Sequence, residues 1–295
     1  MLELRSRPVA SYGEALERVK TMQRLDDASI LEIARTTVYD RGAKAPLAVV
    51  LLHGFTNHPG QYREFAPVLF ERGHNVLIPR LPEQGDRDRM TRRMAKLTPQ
   101  QLLDTANEAV DIAQGLGERV AVLGISTSGL LCAYLAQYRR DIARSIPVAP
   151  VFAMLHANIP LNAFLSSALL ALPNFFVWWD PRNKEKELPR TGYPRFPTRA
   201  LAGALRIGFP VERDASKAAI LARSAVVVTN AKDPAVNNGV TKQVVNDWRK
   251  HAPGRVDEFE FTALPVNHDI IDPENAQPRT DIVYPKLLEI IDATP

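Results

Sequence analysis

Residues 119–135 read RVAVLGISTSGLLCAYL: an apolar run rich in β-branched residues, a cluster of small residues, and a second apolar run. The first part predicts a buried strand, the last part a helix, and the small residues between them a sharp turn. A serine on such a turn lifts its hydroxyl above the sheet, and the turn tolerates only small side chains two positions before and after it. In the register centred on Ser126, Gly124 fills the first small position and Ser128 the second. Centring on Ser128 puts Leu130 where a small residue is needed, so Ser126 is preferred. A plain strand-to-helix turn whose serine only caps the helix fits the same residues, and the rest of the chain has to decide between the two.

Working outward, residues 46–52 (PLAVVLL), 74–79 (HNVLIP) and 145–151 have the same buried-strand character, with helices expected at about 61–72, 99–114 and onward from the turn to Tyr138. Tyr12, Ala15, Leu16, Val19 and Met22 recur at helical spacing in a lead-in that reads as peripheral. Strand and helix alternating with short connections predict an α/β protein, a mostly parallel sheet with helices on both faces. The alternation breaks over 152–221, where apolar helical stretches mix with a proline- and arginine-rich piece, and resumes with a strand at 225–229 (AVVVT). A helix at about 236–251, an alternating strand at 258–263 (EFEFTA) and a helix at about 281–292 complete the chain. Residues 1–151 and 222–295 are therefore expected to form one core, with 152–221 as an inserted, mainly helical cap.

The 295 residues are 45% apolar and 24% charged, which suits a packed core, and the net charge of +4 does not by itself imply nucleic acid. One cysteine, Cys132, forbids an intrachain disulfide and reads as a packed residue of the helix. The first residues carry charges from Glu3 onward and lack a secretory pattern, so a cytoplasmic location is expected. Residues 161–179 are apolar but interrupted by Asn162, Ser166, Ser167, Pro173 and Asn174, which argues against a transmembrane segment and for a buried or lid helix. The basic stretch 80–96 reads as a solvated face.

A serine is a poor nucleophile until a histidine takes its proton and a carboxylate fixes the histidine tautomer. Such partners belong on loops after later strands. Asp233 follows the AVVVT strand and His268 follows the EFEFTA strand, giving the chain order Ser, Asp, His. Asp269 is a rival acid, but a sequence neighbour seldom reaches the ring nitrogen of the adjacent histidine with useful geometry, and Asp233 is preferred.

On Gly124-Ile125-Ser126-Thr127-Ser128, Asp233 and His268 the sequence resembles the α/β-hydrolase family, and within it bacterial carboxylesterases and monoacylglycerol-lipase-like enzymes. The resemblance runs from about residue 46 to the end, apart from the cap. It implies an α/β-hydrolase fold and a serine hydrolase acting on carboxylic esters through an acyl-serine, with no metal or organic cofactor. It also implies an oxyanion hole made by the N–H groups of Phe55 and Thr127, with His53 and Gly54 shaping the first of these loops. The expected partner is a small-molecule ester with an apolar acyl chain; no nucleic acid is expected. Phe175, Phe176, Trp178 and Trp179 of the cap are candidates for lining the acyl pocket. A thioesterase, an acyltransferase, an amide or carbon–carbon bond hydrolase, and a noncatalytic protein of this fold remain alternatives at this stage.

Overall fold

A computed structural model describes residues 2–182, 184, 191–275 and 277–295. In chain order the elements are α1 (Tyr12–Gln23), β1 (Thr37–Tyr39), β2 (Ala45–Leu52), α2 (Phe65–Glu71), β3 (Asn75–Ile78), α3 (Pro99–Leu116), β4 (Gly117–Ile125), α4 (Thr127–Tyr138) and β5 (Arg144–Val148). They continue with α5 (Ile159–Ala171), β6 (Phe176–Trp178), β7 (Arg195–Pro197), α6 (Thr198–Leu205), α7 (Gly208–Ala215), β8 (Ser224–Asn230), α8 (Asn238–His251), β9 (Val256–Phe261) and α9 (Thr280–Asp292). Among the described residues seven strands form one sheet in the order β1-β3-β2-β4-β5-β8-β9. All its neighbours are parallel except β1, which runs against β3.

The central strands are mainly apolar where both of their faces are covered. Along β2, Ala48, Val50 and Leu52 point into one core, and Leu47, Val49 and Leu51 into the other. The first core is closed by α1, α3, α4, α7 and α8, and the second by α2 and α9. The register sets Leu52 beside Gly124, Ile125 beside Val148, and Asn230 beside Phe261, so the loops after β2, β4, β8 and β9 leave the same edge of the sheet. In open parallel sheets ligands bind outside this carboxyl edge.

Several expectations are corrected. The lead-in helix is not peripheral: Ala15 and Val19 are fully or nearly fully buried against α3. Gly115 on α3 makes the contact possible, since a Cβ there would lie 2.7 Å from the Ser11 carbonyl oxygen and 2.8 Å from the Ala15 Cβ. The helix expected over 61–72 is a 3-10 turn, Pro59–Tyr62, followed by α2, and the strand expected over 145–151 stops at Val148, where Ala149 turns to φ 42°. The antiparallel edge strand β1 has three residues, too few to show a period in the sequence.

The segment between β5 and β8 contains α5, α6, α7 and the antiparallel pair β6–β7. Its last helix, α7, packs between α4 and α8 in the layer that covers the sheet, so the excursion away from the core ends near Leu205 rather than at 221. No described helix is long and apolar enough to cross a membrane.

Candidate active site

The turn from β4 into α4 holds Ser126 at φ 60° and ψ −117°, a conformation that costs a non-glycine residue about 1–3 kcal/mol. The surroundings enforce it. Ser126 N–H donates to the Val148 carbonyl at 2.9 Å, and the Ser126 carbonyl accepts from Leu130 N–H at 3.2 Å. A Cβ on Gly124 would lie 2.6 Å from the Ser128 carbonyl oxygen, so only glycine fits there. Ser128 is fully buried and donates its hydroxyl to the His53 carbonyl. It thus ties the turn to the loop after β2 and presents no hydroxyl to solvent.

Beyond β8, Asp233 is held by its own loop: Oδ1 accepts from Ala235 N–H at 2.8 Å and Val236 N–H at 3.1 Å. Its other oxygen, Oδ2, is 2.8 Å from His268 Nδ1, and His268 Nε2 is 2.8 Å from Ser126 Oγ. Ser126 and His268 stand 142 residues apart in the chain. Asn230, at the end of β8, donates from Nδ2 to the Pro265 and Asn267 carbonyls at 3.0 and 2.7 Å and thereby clamps the loop that carries His268. Nothing in the spacing of the sequence marked Asn230.

With Asp233 accepting at Nδ1, the neutral tautomer leaves Nε2 free to accept the serine proton. Burial works against the imidazolium, but the hydrogen bond and charge of Asp233, helped by Asp269, outweigh it and raise the His268 pKa above 6.5. The ring is still 24% exposed, enough to meet a ligand. Asp269 is turned elsewhere: it accepts from Gln61 Nε2 at 2.6 Å and from the N–H groups of Ile271 and Asp272.

Phe55 and Thr127 line the same cavity as Ser126 and His268, and neither backbone N–H has a protein acceptor among the described residues. Gly54 N–H donates to Gln61 Oε1 at 2.8 Å, which fixes the loop. His53 lies beneath it, fully buried; Nε2 accepts from Leu81 N–H at 2.9 Å and Nδ1 donates to the Gly54 carbonyl at 3.0 Å. Burial pushes the His53 pKa down to about 3, so this ring is a neutral structural strut.

The cavity measures about 370 Å³. Its lining includes apolar Val151, Met154, Leu201 and Val236 and polar Asn57, Asp269, Asp272 and Asn275. Asn57, which reads as an ordinary turn residue in the sequence, donates to Asp272 Oδ2 at 2.8 Å. Burial, with the neighbouring Asp269 charge, pushes the Asp272 pKa up to about 6.

The four aromatic residues expected in the pocket divide. Trp179 lines the cavity, donates from Nε1 to Thr56 Oγ1 at 2.8 Å and packs on Phe55 and Phe196. Phe175, Phe176 and Trp178 do not line it. Phe175 is 57% exposed, Phe176 lies under the guanidinium groups of Arg92 and Arg195, and Trp178 lies under Lys184. The reason is the strand: alternate residues of β6 share a face, which puts Phe176 and Trp178 together on the cationic side.

A family model described as the alpha/beta hydrolase family matches residues 49–277. The chain belongs to this family. It is 25% identical to a thermostable monoacylglycerol lipase of Bacillus sp. (strain H-257) over 162 residues, which is 55% of this chain and 62% of that lipase. The match thus spans less than two thirds of the relative's length. Among solved structures, one from work on the metagenome-derived lipolytic enzymes LipS and LipT superposes with a TM-score of 0.70 at 18% identity, covering 89% of this chain and 99% of that one. The monoacylglycerol lipase of Paleococcus ferrophilus gives 0.67 at 16% identity over 88% of this chain and 98% of its own. A thioesterase domain from the curacin biosynthetic pathway gives 0.57 at 12% identity over 87% and 94%. At these identities the structural likeness establishes an alpha/beta hydrolase fold, and activity has to be argued from the site.

Proposed function

We propose that this alpha/beta hydrolase is a serine carboxylesterase or lipase-like enzyme that cleaves carboxylic esters through an acyl-serine. The observation that carries the reading is the unbroken relay from Ser126 Oγ through His268 to Asp233, two contacts of 2.8 Å, at a strained turn that opens on a cavity. In the first half-reaction Ser126 Oγ attacks the ester carbonyl carbon while its proton passes to His268 Nε2. The carbonyl π electrons move to oxygen, where the Phe55 and Thr127 N–H groups would stabilise the charge, at about 3–4 kcal/mol per well-placed donor. Collapse of the intermediate expels the alcohol, which takes the proton from His268 and leaves Ser126 acylated. Water repeats the sequence: it gives a proton to His268, attacks the acyl carbon, and releases the acid with Ser126 restored.

The apolar lining residues, with Trp179, suit an acyl chain, and the polar ones suit the alcohol. Residues 152–205 would then act as the cap, contributing Met154, Trp179 and Leu201 to the cavity. The unpaired, buried Cys132 suits a cytoplasmic location. A fluorophosphonate label mapped by peptide mass spectrometry, alongside hydrolysis of p-nitrophenyl esters and matched thioesters, tests the reading. Labelling of Ser126 with faster turnover of oxygen esters is expected. Absence of label and of turnover would make the protein a noncatalytic member of the fold, and faster thioester turnover would make it a thioesterase.

A further inference from the structure

A second cavity, of about 170 Å³, is lined by residues of α1, of the loop after β3 and of α3, and shares Tyr193 with the catalytic one. Gln84 belongs to its lining and is 1% exposed, yet neither Nε2 nor Oε1 of its amide has a hydrogen-bond partner. Buried polar groups in folded proteins are almost always paired, because an unpaired one forfeits its bonds to water. The loop is not free to relieve this. Glu83 and Gly85, on either side of Gln84, stand at φ 61° and 83°. The Gln84 carbonyl accepts from Arg80 Nη1 at 3.1 Å, and the Gly85 carbonyl from Leu31 N–H at 2.9 Å. A Cβ on Gly85 would lie 2.7 Å from the Ala34 Cβ, so this turn closes only with glycine.

We propose that the cavity is a second binding site, for a small uncharged ligand that carries an amide-type edge, a carbonyl beside an N–H. Such an edge satisfies both atoms of Gln84 at once: its carbonyl accepts from Nε2–H and its N–H donates to Oε1. Charge points to a neutral occupant. The charged lining residues are Asp26 and Glu83 against Arg80 and Arg93, which balance, and Arg80 is already paired with Asp26. Met22, Pro82 and the Tyr193 ring suit an apolar or aromatic body. The volume is well above the ~10–15 Å³ that holds one water, so there is room for more than a structural water. Tyr193 joins the two cavities. Its N–H donates to the Thr56 carbonyl at 2.7 Å, and its hydroxyl accepts from Asp86 N–H at 2.9 Å. An occupant would therefore rest against a residue that supports the loop after β2, where Phe55 stands.

The test uses the full-length protein with benzamide as the probe and reads binding, so it stands apart from the catalytic proposal. Met22 lines the second cavity and Met154 the catalytic one, so NMR of the methionine methyl groups tells the two apart, with Met22→Leu and Met154→Leu assigning the signals. Titration with benzamide is expected to shift the Met22 signal saturably. Benzoate has the same outline but a negative charge and no N–H, and should bind at Met22 about tenfold more weakly. Gln84→Leu should weaken benzamide binding about tenfold without lowering the melting temperature, since it removes the unpaired amide. Thr105→Trp, a substitution on α3 that fills the cavity, should weaken it at least as much. No shift at Met22, a shift confined to Met154, equal affinity for benzamide and benzoate at Met22, or wild-type affinity in either folded variant would overturn the proposal.

Discussion

The turn after β4 and the segment between β5 and β7 treat side chains in opposite ways. At the turn every position is fixed: Gly124 admits no Cβ, Ser128 is locked to the His53 carbonyl, and Ser126 is held at φ 60°. In the segment, α5 buries two polar residues and exposes large apolar ones, and β6 turns two of its aromatic rings under cations. Strain concentrated in one place is supported by a packed sheet on all sides, whereas α5 buries only Asn162 and Ser166 as it packs on α6. On the proposed reading, chemistry depends on the first region and choice of substrate on the second.

The sharpest way to break this division is at Ser126. Ser126→Ala should lower turnover of a p-nitrophenyl ester by about 10⁶-fold, the order seen when a triad serine is lost, with the melting temperature little changed. Ser126→Gly should be equally inactive and should melt higher, because glycine relieves the positive φ. Retained activity in either variant would move the nucleophile elsewhere.

Next in size is the acid. Asp233→Asn should cost about 10⁴-fold in turnover, and Asp269→Asn far less, since Asp269 engages Gln61 and backbone N–H groups rather than the imidazole. The reverse order in measured kcat would exchange their roles. In the wild type, kcat/KM should rise with pH along a limb centred above 6.5, because His268 must be neutral to accept the serine proton and its pKa is raised. The same shift means that the charged His268–Asp233 pair stabilises the fold below about pH 6.5, an effect lost as pH rises through the raised value.

A smaller effect tests the segment. Trp179→Ala should move the preferred acyl chain length, on a scale of about 0.8 kcal/mol per buried methylene, while Phe176→Ala and Trp178→Ala should leave the preference in place. A kcat/KM series over ester chain lengths for the three variants decides it; a shift from Phe176→Ala alone would put that ring in the site.

The smallest expected effect is on stability. The Asp272 pKa is raised to about 6 from an ordinary 3.8, so the fold favours the protonated acid and loses stability as pH rises from about 4 through 6. Asp272→Asn should therefore raise Tm by about 2–4 °C above pH 7 and by almost nothing at pH 4. A gain of equal size at both pH values would show that the charge is not the cause.

The same contrast sets what the sequence discloses. Strands β2, β4 and β8 are legible because burial on both faces demands apolar runs, and Ser126 and Asp233 stand just beyond two of them, while His268 follows the alternating, half-exposed strand β9. Asn230 escapes notice because its work is done through two carbonyls far along the chain, which leave no periodic mark. Phe175, Phe176 and Trp178 mislead for a different reason. Composition reports that an insertion is rich in aromatic residues, but only the alternation of β6 decides which of them face a cavity. The lead-in helix likewise reads as peripheral until Gly115 is seen to admit Ala15.

On the proposed reading, the separation of Ser126 and His268 by 142 positions also carries a consequence for the newborn chain. While the protein is being made, the nucleophile leaves the ribosome early and waits without a base through the synthesis of the segment, β8 and β9. Only when residue 268 has emerged and β9 has paired with β8 can a proton be taken from Ser126. At a translation rate of about 5–20 residues per second that wait lasts from about seven seconds to half a minute. Truncated or stalled chains would in consequence be chemically silent, and the onset of hydrolysis would serve as a timer for completion of the sheet.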